Sequence, residues 1–540
     1  MSHAEPITGE TECAVSTLAA DATFRTWLGF LLMCLGMFMA ILDIQVVATS
    51  LPAIQEALGI SRDAMSWVQT AYLIAEIIAI PLTGWLTRTL TLRWMFVAAV
   101  GIFTTASIGC ALSDSFSMLI SFRIVQGFAG GALIPAVFSA VFLLFPLRLH
   151  PLATTLAGIV AVLAPTVGPI VGGWITETWS WHWLFLINVV PGVLAAAATP
   201  FLLPRDNVNF AEFKNLDRLS LVLLAVTLTT LEIGLKQAPQ DGWLSPRPLA
   251  LFATSLTSGW IFVKRSIKAT HPVVELKTLR APAFAVGCAL SFCLGVGLYG
   301  SVYLMPVFLG FVRGHDALRI GEIMLLSGLA QLITAPIAVA LERRADARLV
   351  AAAGFALFAA GLAMSTRQTG DTDFQDMIWP QIMRGAAIML CLLAPTRMAL
   401  GRLPLAEVAD ASGLFNLMRN LGGAIGIALI DTVIYGRSPV LARAIVRRLE
   451  AGDVPTAKAV GLPLDLFLMQ GPGPVDPATA AYLKPMVERL ALVRAINEAW
   501  LMLAVLTALV LVSIPFARRP PSEADGSSAP PIDLEGLAAT

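Results

Sequence analysis

Apolar runs of about 20 residues, each closed by a short stretch carrying charge, proline or glycine, recur along almost the whole chain. About fourteen such runs can be marked, with cores at 27–50, 65–87, 94–112, 117–145, 152–176, 182–203, 216–236, 247–263, 281–312, 318–341, 347–365, 378–400, 410–436 and 497–517. No alternation of apolar and polar positions of the kind a half-buried strand needs appears within them. Backbone groups in lipid must be hydrogen-bonded inside their own segment, so each run is predicted to be a helix that crosses a bilayer. The expected architecture is therefore an all-α membrane protein. The polar segments 1–26 and 518–540 read as tails, and 1–26 does not read as a signal peptide, because the apolar run behind it is too long for an h-region.

Lys and Arg between the runs give an orientation. With the N-terminus placed in the cytoplasm, the inner segments hold 19 Lys or Arg and the short outer loops hold 6, and an even number of spans puts both termini inside. Residues 437–496 form a long polar interruption before the final span. They are expected to lie outside, with VLARAIVRRLEAG and a stretch around Met486 to Ile496 as amphipathic helices off the bilayer.

Composition sharpens this picture. The chain has 540 residues, of which 57% are hydrophobic and 13% charged, and its mean hydropathy is +0.77. A soluble domain carries roughly a quarter charged residues. The formal net charge is +0, so no overall field points to nucleic acid. Of the six cysteines, all but Cys13 sit in apolar runs and read as small hydrophobes, and the five histidines form no ligand pair, so no metal site is expected.

An ionisable residue inside a span is expensive and is a functional candidate by default. Arg123 stands near the start of MLISFRIVQGFAGGALIPAVF, with Gln126 and Gly127 beside it. Asp43 lies deep in the first span, ahead of Pro52. Glu76 lies mid-span in AYLIAEIIAIPLTGW, and Gln69, Tyr72 and Glu76 share one face at i, i+3 and i+7. A carboxyl in that stripe is placed to carry a proton or to meet a cation. Arg419 shares a face with Ser412, Asn416 and Gly423, which is expected to front a central cavity. Tyr303, Trp67, Phe292, Met305, Met383 and Met389 are candidates for the deformable wall of such a cavity, although ordinary core packing explains most of them. Glu232 reads as a residue of the outer interface, and Asp431 as a candidate for the outer half of a pathway.

The two ends of the chain echo each other. FRIVQGFAGGALIPAV and PQIMRGAAIMLCLLAPTR each set an arginine, Arg123 or Arg384, about a dozen residues before a proline, Pro135 or Pro395. Gly168, Gly172 and Gly173 in APTVGPIVGG are answered by Gly422, Gly423 and Gly426 in NLMRNLGGAIGIA, and both sets permit close helix contact. Such similarity suggests two bundles, 27–204 and 266–517, with 205–265 as an inserted helix pair.

The motifs also resemble a known family. LDIQVVATSLPAI, PLTGWLTRTLTLRW, R-x-x-Q-G from Arg123, APTVGPIVGG and, in the second half, ASGLFNLMRNLGGAIGIAL are together similar to the major facilitator superfamily, in particular its fourteen-helix drug:proton antiporter branch of EmrB/QacA type. The resemblance implies two six-helix bundles plus two inserted helices. It implies proton coupling at Arg123 and a gating or coupling role for Asp43; it does not call for an acid at Glu76, which is a proton-coupling candidate from its position in the span alone. It implies conformational roles for Gly84, Arg93 and Gly127, and an antiport-specific bend at Gly168, Pro169, Gly172 and Gly173. One departure is plain: Arg88 stands where the family's loop between the second and third helices has an Asp that latches the halves, and Thr91 stands where it has a second glycine.

The expected activity is proton-driven export of lipophilic or amphipathic compounds by alternating access, with the proton gradient as energy source and no cofactor. No G-x-x-x-x-G-K-[ST] loop is present to hold ATP. The resemblance further implies a periplasmic adaptor of the membrane-fusion, EmrA-like type and an outer-membrane channel, docked through 437–496. Two other classes fit the same pattern: an exporter narrow for one metabolite, siderophore or sugar, and a non-transporting membrane sensor or enzyme, for which no catalytic constellation is visible.

Overall fold

The computed structural model describes residues 23–516 except 61, 206–207, 209–216, 270–271, 402, 471–472 and 474–476. Cys13 and nearly all of both tails lie outside the described residues. The described chain is a succession of long helices: α1 Phe24–Leu58, α2 Arg62–Ala79, α3 Thr83–Ala111, α4 Phe116–Leu144, α5 His150–Thr178 and α6 Val189–Leu202. After these come α7 Arg218–Asp241, α8 Pro246–Lys268, α9 Pro282–Phe311, α10 Ala317–Arg344, α11 Ala347–Met364 and α12 Phe374–Leu400. The last are α13 Leu405–Glu450, two short helices α14 Val454–Val460 and α15 Leu464–Gln470, and α16 Pro477–Leu509. Polar side chains at the ends fix where the helices start. Thr23, Ser115, Asp217, Asp316, Asp346 and Asp373 each accept a hydrogen bond from a first-turn amide, and Gly59 closes α1 in the left-handed region at φ 60°.

Twelve segments are long and apolar enough to cross a membrane, and one of them, Trp67–Ala111, is 45 residues long. It holds two passes. Thr91, inside α3, has φ 69° and ψ 159°, which no helix tolerates. Tyr72 and Phe103 both pack on Gly130 of α4, although a continuous helix would set them about 46 Å apart. The chain therefore reverses at Thr91. Helix α8 packs along α7 and is not among the twelve.

Helices α1–α6 pack around two apolar clusters, the larger of which extends into α7, α8, α9, α12 and α13, and α9–α13 with α16 pack around another. The halves meet along α5 against α10 and along α13 against α3 and α4. Helix α7 packs on α8, on α2 of the first half and on α13 of the second. Segment 437–496 differs from its expected form. Its two helical stretches are not separate pieces beside the bilayer. They are the C-terminal part of α13 and the N-terminal part of α16, bundled with α14 and α15 around Ile445, Leu449, Ala457, Val460, Val487 and Ala491. Helix α13 has 46 residues, about 69 Å, more than twice the thickness of a hydrocarbon core. An ion pair between Arg437 and Glu498 ties the base of this projection together.

Candidate functional site

Three helices of the first half bring the polar residues of the spans together. The close packing comes from glycine. A Cβ on Gly127 would lie 2.3 Å from the Tyr72 carbonyl oxygen, and one on Gly131 would lie 2.4 Å from that of Glu76. Helix α4 can therefore lie directly on α2, with Arg123, Gly127 and Gly131 in step with Val68, Tyr72 and Glu76.

Arg123 and Asp43 form an ion pair, and both side chains are fully buried. Arg123 Nε donates to the Val68 carbonyl at 3.1 Å, Nη1 donates to Gln126 Oε1 at 2.8 Å, and the guanidinium lies 4.3 Å above the Tyr72 ring. Asp43 Oδ1 accepts from Gln126 Nε2 and from Asn188 Nδ2, each at 2.9 Å. Gln126 Nε2 also reaches Ser107 Oγ at 2.8 Å, and the Tyr72 hydroxyl donates to the Ala40 carbonyl at 3.1 Å. A buried ion pair is tolerable when its other donors and lone pairs are met, as they are here except at Arg123 Nη2, which has no partner among the described residues. The sequence reading placed Tyr72 and Gln126 on a substrate cavity. Both are instead fully buried inside the first half, as partners of Arg123. Asn188 and Ser107 escaped it, because a single Asn or Ser in an apolar run looks like any satisfied core residue.

Glu76 is 4% exposed. Among the described residues no hydrogen bond or ion pair reaches its carboxyl, while Arg123, Asp43 and Glu232 all act on it electrostatically. Glu232 of α7 is half-buried. One turn on, Lys236 binds the Thr70 hydroxyl and lies 5.3 Å over the Trp67 ring. Gln69 is half-buried on the same stretch of α2.

In the second half, Arg419 is buried between the rings of Phe138 and Phe415, at 5.4 and 5.5 Å, and its Nε and Nη2 have no partner among the described residues. Phe138 belongs to α4, so Arg419 sits where the halves meet. Asn416 donates to the Ser412 carbonyl at 2.9 Å, and Ser412 Oγ crosses to the Pro135 carbonyl at 3.1 Å. The Tyr303 hydroxyl donates to Asp431 at 2.7 Å. Met305 and Met389 are core residues rather than cavity wall.

The latch position is occupied, with its charge reversed. Arg88 pairs with Asp410 of α13, and a Cβ on Gly84 would lie 2.0 Å from Asp410 Oδ1, so only glycine lets α13 approach. Arg93 stacks on Trp94 at 5.0 Å. Gly168 packs on Gln45 of α1, where a Cβ would lie 2.4 Å away, and Gly172 and Gly173 are buried. Pro169 falls within α5, its side chain outside the described residues. Helix α5 runs from His150 to Thr178 as one element through this motif.

Two helical halves, a buried charge pair in one and contacts between them through single glycines define a membrane transporter of the two-bundle kind. The chain belongs to the Major Facilitator Superfamily, whose model matches residues 33–427. It is similar to the colistin resistance protein EmrB of Acinetobacter baumannii, 40% identical over 408 residues that cover 75% of this chain and 80% of that one. It is also similar to the multidrug export protein EmrB of Escherichia coli, at 29% identity over 91% and 95% of the two chains. A third relative is the fatty acid resistance protein FarB of Neisseria gonorrhoeae, at 30% identity over 74% and 79%. The solved human organic anion transporter MFSD10 superposes with a TM-score of 0.56 at 14% identity, over 89% of this chain and 98% of that one, which shows the shared fold.

Proposed function

We propose that the protein is a proton-coupled multidrug exporter that works by alternating access. The observation that carries the reading is the Asp43–Arg123 pair, sealed within the first half and flanked by Glu76. Protonation of Asp43 removes its charge and leaves Arg123 uncompensated. In a low-dielectric interior that change is large enough to favour a different arrangement of the halves. Glu76 is the second proton-handling candidate, lying between that pair and α7. Arg419 and Asn416, at the meeting of the halves, are placed to meet substrate. The names of the relatives, which include multidrug, colistin and fatty acid resistance proteins, support lipophilic or amphipathic substrates. The proton gradient serves as energy source, without a cofactor.

On this reading the end of the molecule bearing Arg88 and Asp410 is cytoplasmic, and the projection of α13–α16 stands outside. It is the docking surface proposed for a periplasmic adaptor of the membrane-fusion, EmrA-like type, in series with an outer-membrane channel. A cleft of about 720 Å³ between Val440, Arg443, Arg447, Leu483, Lys484 and Glu488 gives that surface shape and charge. The test is transport by reconstituted protein. Export that requires an imposed pH gradient and is lost in Asp43→Asn supports the reading, and export indifferent to the gradient defeats it.

A further inference from the structure

The second half contains a buried arginine that mirrors Arg123 but lacks its acid. Arg384 is 2% exposed. Its Nε donates to the Pro380 carbonyl at 3.3 Å, its Nη2 to Gln381 Oε1 at 3.0 Å, and its guanidinium lies 4.6 Å from the Trp500 ring, much as Arg123 is held by Val68, Gln126 and Tyr72. Gly361 of α11 clamps the stem, since a Cβ there would come within 2.9 Å of Arg384 Cγ. The difference is charge. Among the described residues no carboxylate pairs with Arg384, and burial alone acts on it.

Three donors around it are also unmet: Arg384 Nη1, Gln381 Nε2 and Trp500 Nε1, all buried and without partners among the described residues. The Gln381 amide oxygen accepts from Arg384, and the unmet polar atoms of these three side chains are all donors. Buried donors are almost always satisfied, and a buried guanidinium, which keeps its proton, needs a counter-charge. A water molecule could accept from these donors but would leave the charge uncompensated.

We propose that a small monovalent inorganic anion, chloride in ordinary salts, binds inside the second half against Arg384, Gln381 and Trp500. It supplies the negative charge that Asp43 supplies to Arg123. The two halves then differ in kind: one holds its arginine with a carboxyl that can take a proton, the other with an ion that cannot at physiological pH. The second half is in this way a fixed electrostatic frame for the titrating first half.

The experiment measures thermal unfolding of the full-length protein in detergent while chloride replaces gluconate at constant sodium and ionic strength. The expected result is a saturable upward shift in Tm of about 2 °C or more. Arg384→Met should abolish the chloride dependence. Gln381→Glu, isosteric and already within hydrogen-bonding distance, gives Arg384 a built-in carboxylate, so this variant should fold and be indifferent to chloride. A wild-type Tm independent of chloride, or a Gln381→Glu variant that keeps the full chloride response, overturns the proposal.

Discussion

Asp43 is held by three side chains: Arg123 and Gln126 of α4, and Asn188 just ahead of α6. Asp43→Asn keeps the shape of this network and removes its charge. The variant is expected to insert normally and to lose substrate-dependent proton flux in proteoliposomes, and because it leaves Arg123 buried without a counter-ion it should also lose about 3–5 kcal/mol of stability. Glu76 has no such network. Glu76→Gln is therefore expected to leave stability nearly unchanged and to impair export of cationic compounds more than neutral ones, measured as paired transport rates. Equal impairment of both would assign Glu76 to the proton alone. At this scale the sequence was informative for Asp43, Glu76 and Arg123, because an ionisable group in an apolar run is costly wherever it points. It was silent on Asn188, because that assignment depends on which neighbouring helix the residue faces.

Helix-to-helix packing depends on glycines that leave no room for a Cβ. Gly127→Ala forces α4 off the α2 backbone and is expected to destabilise the protein by about 1–3 kcal/mol, seen as a lowered Tm, whereas Gly101→Ala, with nothing within 4 Å of its Cβ, should be silent. A second element-level expectation concerns the connection into α12. Arg313, the Phe374 amide and His315 hold the Asp373 carboxyl down to about 2, from an ordinary 3.8. A depressed carboxyl stabilises above its ordinary value and loses that contribution as pH falls towards its folded value. Wild-type Tm should therefore fall more steeply than that of Asp373→Asn between about pH 4 and pH 2, and parallel curves would contradict this. Helix number and position could be read from hydropathy because each span must be apolar for its whole length. The turn between the second and third spans could be read as well, from the gap between the runs at 65–87 and 94–112 that holds the reversal at Thr91. The continuity of α13 could not, because its C-terminal part is polar and hydropathy follows the membrane rather than the helix.

At the scale of the whole molecule, the ion pair between Arg88 and Asp410 joins the halves at the end bearing the turn at Thr91. The family resemblance made the missing acid at position 88 look like a lost latch. Instead the acid is on α13, as Asp410, and the cation is on α3, as Arg88. A local motif shows only one side of such a contact, so the exchange was invisible in sequence. Arg88→Gln and Asp410→Asn are each expected to slow transport, with the double variant no slower than the poorer single. Additive losses would show that the two residues act separately. The projection makes a different claim. Removing 440–490 should spare export in vesicles while abolishing resistance in cells if an adaptor docks there, and loss of both would make the projection part of the transport unit.

The most direct measurement is proton release from purified protein in weakly buffered detergent solution on addition of substrate, with Asp43→Asn alongside. Wild-type protein should release protons in proportion to substrate bound, and Asp43→Asn should release fewer. Substrate binding with no proton release, or release unchanged in Asp43→Asn, would contradict the claim that a sealed carboxyl–arginine pair couples the proton to export.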